Sequence, residues 1–90
     1  NPLHYRAYLE RGMLLYDQGQ RDKGLKDIKR SHAILPTAEG SYYLGEHEMA
    51  KKNYARAKSY YSEASNSLGK FRALAEQKMM AIDQNLNPKS

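Results

Sequence analysis

Cysteine and tryptophan are both missing from this chain of 90 residues, so neither a disulfide framework nor a thiolate metal site can form. The absence of cysteine leaves the compartment open, cytoplasm and periplasm alike. Long apolar runs are missing too. The longest uninterrupted one is only a few residues, far short of the roughly 20 that a membrane-spanning helix needs, and membrane insertion is excluded on that ground. Catalytic signatures are equally sparse: there is no G-x-S-x-G elbow, no phosphate-binding glycine loop and no thiol nucleophile. His47-Glu48 opens like the helix of a zinc protease, but Lys51 holds the place where the second histidine is required. His4 and His32 have no further histidine or carboxylate at ligand spacing, and each reads as a polar residue near a helix end. The segment is therefore expected to perform no chemistry and to hold no metal or cofactor. Acidic residues are in deficit, 10 against 15 lysines and arginines, for a net charge of +5. Such a balance suits an acidic partner or simply keeps a small domain soluble. The start at Asn1-Pro2 has neither an initiator methionine nor a signal-peptide pattern, and reads as an excised piece of a larger protein.

What is present suffices for one domain. The hydrophobic share of 40% is low, although eight tyrosines supply large rings that pack while their hydroxyls reach water. Periodicity organises the chain around Leu44 to Ala64. There a small residue, Gly45, lies in one helix, Lys51-Lys52-Asn53 form a polar turn, and Tyr54, Ala57, Tyr61 and Ala64 follow at helical spacing in a second helix. The intervals from Gly45 are nine, three, four and three residues, and the same intervals from Gly12 land on Arg21, Gly24, Ile28 and Ser31. Two like units thus sit 33 residues apart.

A period near 34, with a small residue in the first helix and large and small residues alternating in the second, resembles the tetratricopeptide repeat (TPR) family. The resemblance covers roughly residues 5–83. It implies an all-α fold, a right-handed stack of helical hairpins (an α-solenoid) with repeat one at 3–36, repeat two at 38–67, a capping helix at 68–84 and a tail at 85–90. Departures are visible. Arg11 stands where a leucine is usual, Arg21 where an aromatic is usual, and Gly24 and Ser31 replace alanines while staying small.

Taken in order, Asn1 can cap a helix that starts at Pro2 and runs to about Gln18. Tyr8, Gly12 and Leu15 share one stripe, and Leu9, Met13 and Tyr16 a second beside it. Gly19 reads as a left-handed stop. A second helix runs from Arg21 to His32 or Ala33 with Leu25, Ile28 and Ile34 buried, and Pro36 ends the unit by biasing Leu35 away from helical angles. The third helix opens near Ala38. With Gly45 in register, Ser41 and Glu48 face inward where bulky apolar residues are usual; a one-residue shift would turn Tyr42 and Met49 inward instead, and the unshifted register is preferred because Leu44-Gly45 and Tyr54 then fit without a gap. The fourth helix spans Tyr54 to about Ser65. The fifth, from Leu68 to about Gln84, repeats a large-large-small pattern at Phe71, Leu74 and Ala75, and Asn85-Leu86-Asn87-Pro88 breaks it. Gln77 and Lys78 give it a polar outer side, as a cap on the end of a stack requires.

Nucleic acid is not favoured as a partner. Arg21, Lys23, Lys26, Lys29 and Arg30 cluster within ten residues, but Asp22 and Asp27 interrupt them and the tyrosines sit at packing intervals elsewhere, whereas stacking on bases needs rings beside the charges. The cluster reads as a solvated outer face. The family likeness implies instead a non-catalytic module binding a peptide or protein in a concave groove lined by the first helix of each pair. On those helices Leu9, Met13 and Tyr16; Tyr42, Glu46 and Met49; and Arg72, Glu76 and Met79 recur at spacings of four and three. Packing between neighbouring helices is the competing use of the same residues. Arg72 alone stands as a donor for a peptide carboxylate, which does not support a chaperone-type carboxylate clamp. The likeness also extends to accessory repeats of larger enzymes, such as bacterial cell-envelope zinc peptidases. Homo-oligomerisation through an uncovered edge is the third use considered.

Overall fold

A computed structural model describes residues 4–66 and 69–86, and among them five helices and no strand occur: α1 (His4–Asp17), α2 (Arg21–Ile34), α3 (Ala38–Ala50), α4 (Tyr54–Ser65) and α5 (Lys70–Leu86). The expected cap at Asn1 and Pro2, the start of the last helix at Leu68 and the end of the tail lie outside the described residues. The chain measures 47 × 27 × 18 Å.

Helix ends follow local chemistry. Gly19 takes φ 93°, its N–H donates to Tyr16 O and the Gln20 N–H to Leu15 O, the paired bonds of a Schellman cap. The same pair of bonds recurs 33 residues later, from Lys52 to Met49 O and from Asn53 to Glu48 O. There the left-handed position holds a lysine, at φ 62°. Leu35 is extended ahead of Pro36, and Thr37 Oγ1 then accepts the Gly40 N–H at 3.0 Å to start α3.

Helix α1 packs along α2 and α3 along α4, with α5 against α4. A Cβ at Gly12 would lie 2.7 Å from Gly24 O, and one at Gly24 2.5 Å from Gly12 O. The two backbones therefore touch, and no side chain fits between them. At Gly45 the close neighbour is not backbone, as the matched spacing suggests, but the Tyr61 ring, 2.8 Å from where a Cβ would be. One core cluster joins Leu25, Ile28 and Leu44; another joins Ala57, Tyr61, Ala64, Ala75 and Ile82.

Most polar substitutions in this frame are paired; Ser31 Oγ is buried with no hydrogen-bond partner among the described residues. Asp27 is only 5% exposed because Arg11 reaches it with two bonds, Nη2 to Oδ1 at 2.9 Å and Nε to Oδ2. The arginine standing in a leucine position thus supplies the partner of an aspartate turned inward on the next helix. In α3 the buried side carries Ser41, Leu44, Gly45 and Glu48, the unshifted register. Glu48 Oε1 accepts from Asn53 Nδ2 at 2.9 Å, and Ser41 Oγ donates to Glu63 Oε1 at 3.1 Å. Ile34 does not join the core but stands 36% exposed at the end of α2, while Ser31, one turn earlier, takes the buried place. Lys78, expected on an outer side, points back toward α3, with Nζ 3.4 Å from Glu46 Oε1.

Overpacking against backbone outweighs the gain in helix propensity, so Gly24→Ala should lower the unfolding free energy by about 1–3 kcal/mol. Lys52→Gly relieves the left-handed lysine and should raise it by about 0.5–1 kcal/mol; urea titration of both variants checks the opposite signs. Hydrogen bonds from Arg11 and Asn53 hold the Asp27 and Glu48 carboxyls below their ordinary range. Their stabilisation is complete above the unfolded carboxylate pKa of about 4 and is lost as pH falls through the lower folded values. Melting temperature followed into acid should fall less steeply in an Asp27→Asn, Glu48→Gln variant than in the parent.

Candidate interaction face

Side-chain contacts tie α1 to α3 and α3 to α5. Between α1 and α3, Arg6 Nη1 lies 3.5 Å from Glu39 Oε2, and Tyr43 Oη donates to both Asp17 oxygens at 2.9 and 3.0 Å. Between α3 and α5, Tyr42 meets Phe71 and Glu46 meets Lys78. A row of rings runs through these contacts: Tyr16 to Tyr43 at 5.4 Å, Tyr43 to Tyr42 at 6.2 Å, and Tyr42 to Phe71 at 5.4 Å between centroids. The first two are edge-on, the arrangement that ring quadrupoles favour.

The nine residues expected to line a groove divide into three sets. Leu9 is 0% exposed and belongs to the core, a correction whose cause is the neighbouring Gly40: a Cβ there would lie 3.7 Å from Leu9 Cδ1, so α3 closes over the leucine. Met13 and Tyr16 are half-buried against Leu25, Ile28 and Leu44, and Tyr42, Met49 and Met79 against the cluster around Tyr61. These five do pack between helices, and each keeps part of its surface in solvent. Arg72 and Glu76 are exposed and pair with each other at 3.6 Å. Glu46, half-buried, joins the sets: it accepts the hydrogen of the buried Tyr61 hydroxyl as well as facing Lys78.

Electrostatics sharpen this picture. Burial, reinforced by the hydrogen bond to Glu46, holds the Tyr61 phenol far above its ordinary pKa, and burial with the bond to Asp17 does the same for Tyr43. Around these phenols and rings the face carries charge of both signs, the carboxylates of Asp17, Glu39, Glu46 and Glu76 and the cations of Arg6, Arg72 and Lys78.

Sequence reasoning passes over Asp17 and Tyr43 and places Lys78 outward, whereas the fold brings all three to this face; the adjacent Tyr42-Tyr43 pair on a helix beside a buried glycine is the one signal that could have found Tyr43. It also passes over a polar group elsewhere. A shallow cleft of about 560 Å³ is lined by His32, Pro36, Thr37, Ala38, Ser41, Glu63 and Asn66. In it His32 Nε2 lies 3.7 Å from Glu63 Oε1, a carboxylate 31 positions away in the chain, and His32 Nδ1 is buried without a hydrogen-bond partner. Among the described residues no group of three or more histidines and carboxylates is placed to hold a metal ion, and no helix is long and apolar enough to cross a membrane. Comparison with protein-family models, with curated proteins and with solved structures gives no match.

A raised tyrosine pKa means the neutral phenol is favoured by folding. That stabilisation is complete below the unfolded tyrosine pKa of about 10 and is lost as pH rises through the folded value. Absorbance titration should therefore show Tyr43 and Tyr61 ionising last among the tyrosines, with alkaline unfolding as they do so, and Glu46→Gln should bring the Tyr61 step to lower pH.

Proposed function

We propose that this chain is a non-catalytic interaction module of tetratricopeptide type, which binds a peptide or protein segment along the face shared by α1, α3 and α5. The observation that carries the reading is the recurrence of one structural unit at a spacing of 33. Gly19 and Lys52 close equivalent turns through the same pair of hydrogen bonds, and Gly12 and Gly45 both lie where no side chain fits. Units that repeat in this way place successive first helices side by side and generate an extended recognition surface without any special catalytic group. Half-exposed tyrosines and methionines across that surface suit such a role, the first because a rigid ring carries a polar tip, the second because a flexible thioether adapts to its partner. The fifth helix covers α4 and extends the face at Phe71, Arg72 and Glu76, which supports its reading as a cap.

The test uses peptides selected from a displayed random library on the whole chain. Arg72→Ala and Glu76→Ala remove exposed side chains that, among the described residues, pair with each other, so folding is left intact. The selected peptides should bind the double variant about tenfold more weakly, as loss of a contact worth more than 1 kcal/mol requires, at unchanged melting temperature. Peptides that bind parent and variant alike would remove this face from consideration.

A further inference from the structure

We infer that the outer face of α2 is a second docking surface, separate from the α1–α3–α5 face, and that it takes an acidic segment of a partner protein. Arg21, Lys23, Lys26, Lys29 and Arg30 are all exposed on this helix. In sequence two aspartates interrupt them. In the folded chain only Asp22 does so at the surface, because Asp27 is turned inward and held by Arg11. Five cations thus face solvent against a single outward carboxylate.

Several cations elsewhere in the molecule are paired, although Lys52, Arg56 and Lys70 are, like the lysines of α2, without a carboxylate within 4 Å among the described residues. Lys51, Lys58, Lys78 and Arg72 each lie within 4 Å of a carboxylate, on Glu48, Asp83, Glu46 and Glu76. Among the described residues Lys23, Lys26 and Lys29 have no such partner. Lys23, Lys26 and Arg30, at spacings of three and four, form one ridge about 10 Å long. Like charges at that spacing repel across a helix face, and Arg21 and Lys23 also stand at the helix N-terminus, where the macrodipole is already positive. Asp22 in the first turn, Asp27 beside Arg30 and the rings under Arg21 and Arg30 relieve part of this accumulation, and a row of carboxylates laid along the ridge would relieve more.

The free groups call for a negatively charged partner, and the surroundings of the ridge argue against a nucleic acid. The arginines that could grip a phosphate or a carboxylate bidentately already have contacts: Arg11 with Asp27, Arg21 over the Tyr16 ring at 5.5 Å, and Arg30 over the Tyr8 ring at 5.7 Å and within 4.0 Å of Asp27. The same contacts occupy the rings nearest the ridge, which would otherwise serve to stack bases. What remains is three lysine ammoniums, compact point charges without fork geometry. They fit the carboxylates of an acidic peptide, approached by long-range attraction and sensitive to salt.

The probe is a labelled oligoglutamate peptide, titrated against the whole chain at low and at physiological ionic strength, with a single-stranded oligonucleotide of equal charge in parallel. The peptide should bind in a salt-dependent way. Lys23→Glu, Lys26→Glu, Lys29→Glu together should weaken it by about tenfold or more without lowering the melting temperature, since repulsion is relieved. The Arg72→Ala, Glu76→Ala variant should bind it as the parent does, which keeps this surface distinguishable from the other. Absence of peptide binding, equal binding by the triple variant, or tighter binding of the oligonucleotide than of the peptide would each overturn the inference.

Discussion

Backbone contact between Gly12 and Gly24 is the constraint from which the rest of the first helix pair follows. Once α1 and α2 touch main chain to main chain, residues within a turn of the crossing are brought within reach across a very narrow gap. Arg11 meets Asp27 for that reason, and the Tyr16 backbone lies under Gly24. The second pair solves the same problem differently. Gly45 opens a recess that the Tyr61 ring fills, and the ring's hydroxyl is then carried to Glu46. One pair is thus closed by peptide groups and an ion pair, the other by an aromatic ring and a phenol–carboxylate bond. Similar spacing does not require similar chemistry at the contact.

Much of the architecture was legible in the residues because the determinants are local. Gly19 and Pro36 act within a few positions of themselves, and the helix ends that fall among the described residues lie within two residues of where their chemistry puts them. The register of α3 was legible as well, since a glycine that must face a neighbour fixes the rotation of the helix that bears it. What escaped depends on distant partners. Asp27 looked solvated because its arginine is 16 positions away on another helix; Leu9 looked available because Gly40, which admits α3 over it, belongs to the next unit. Lys78 looked outward for the same reason, its carboxylate being on α3. The left-handed turn at Lys52 carried no glycine to announce it.

The interaction face was legible in outline only. Spacing selected the helices and most of the side chains, but it could not separate surface that binds from surface that packs, because a half-buried tyrosine does both. Burial grades these residues: Leu9 is withdrawn wholly, the methionines and tyrosines partly, Arg72 and Glu76 not at all. Glu46 is the position where the two uses meet, since its carboxylate serves the core through Tyr61 and the surface through Lys78.

The glycine crossing also shapes how this chain can vary. Gly12 and Gly24 occupy one gap, so a side chain added at either must force the helices apart, and the separation that accommodates the first methyl group already accommodates much of the second. Their substitutions are therefore coupled rather than additive. Lineages in which one of the two has been replaced are free to lose the other, and the pair should persist or disappear together.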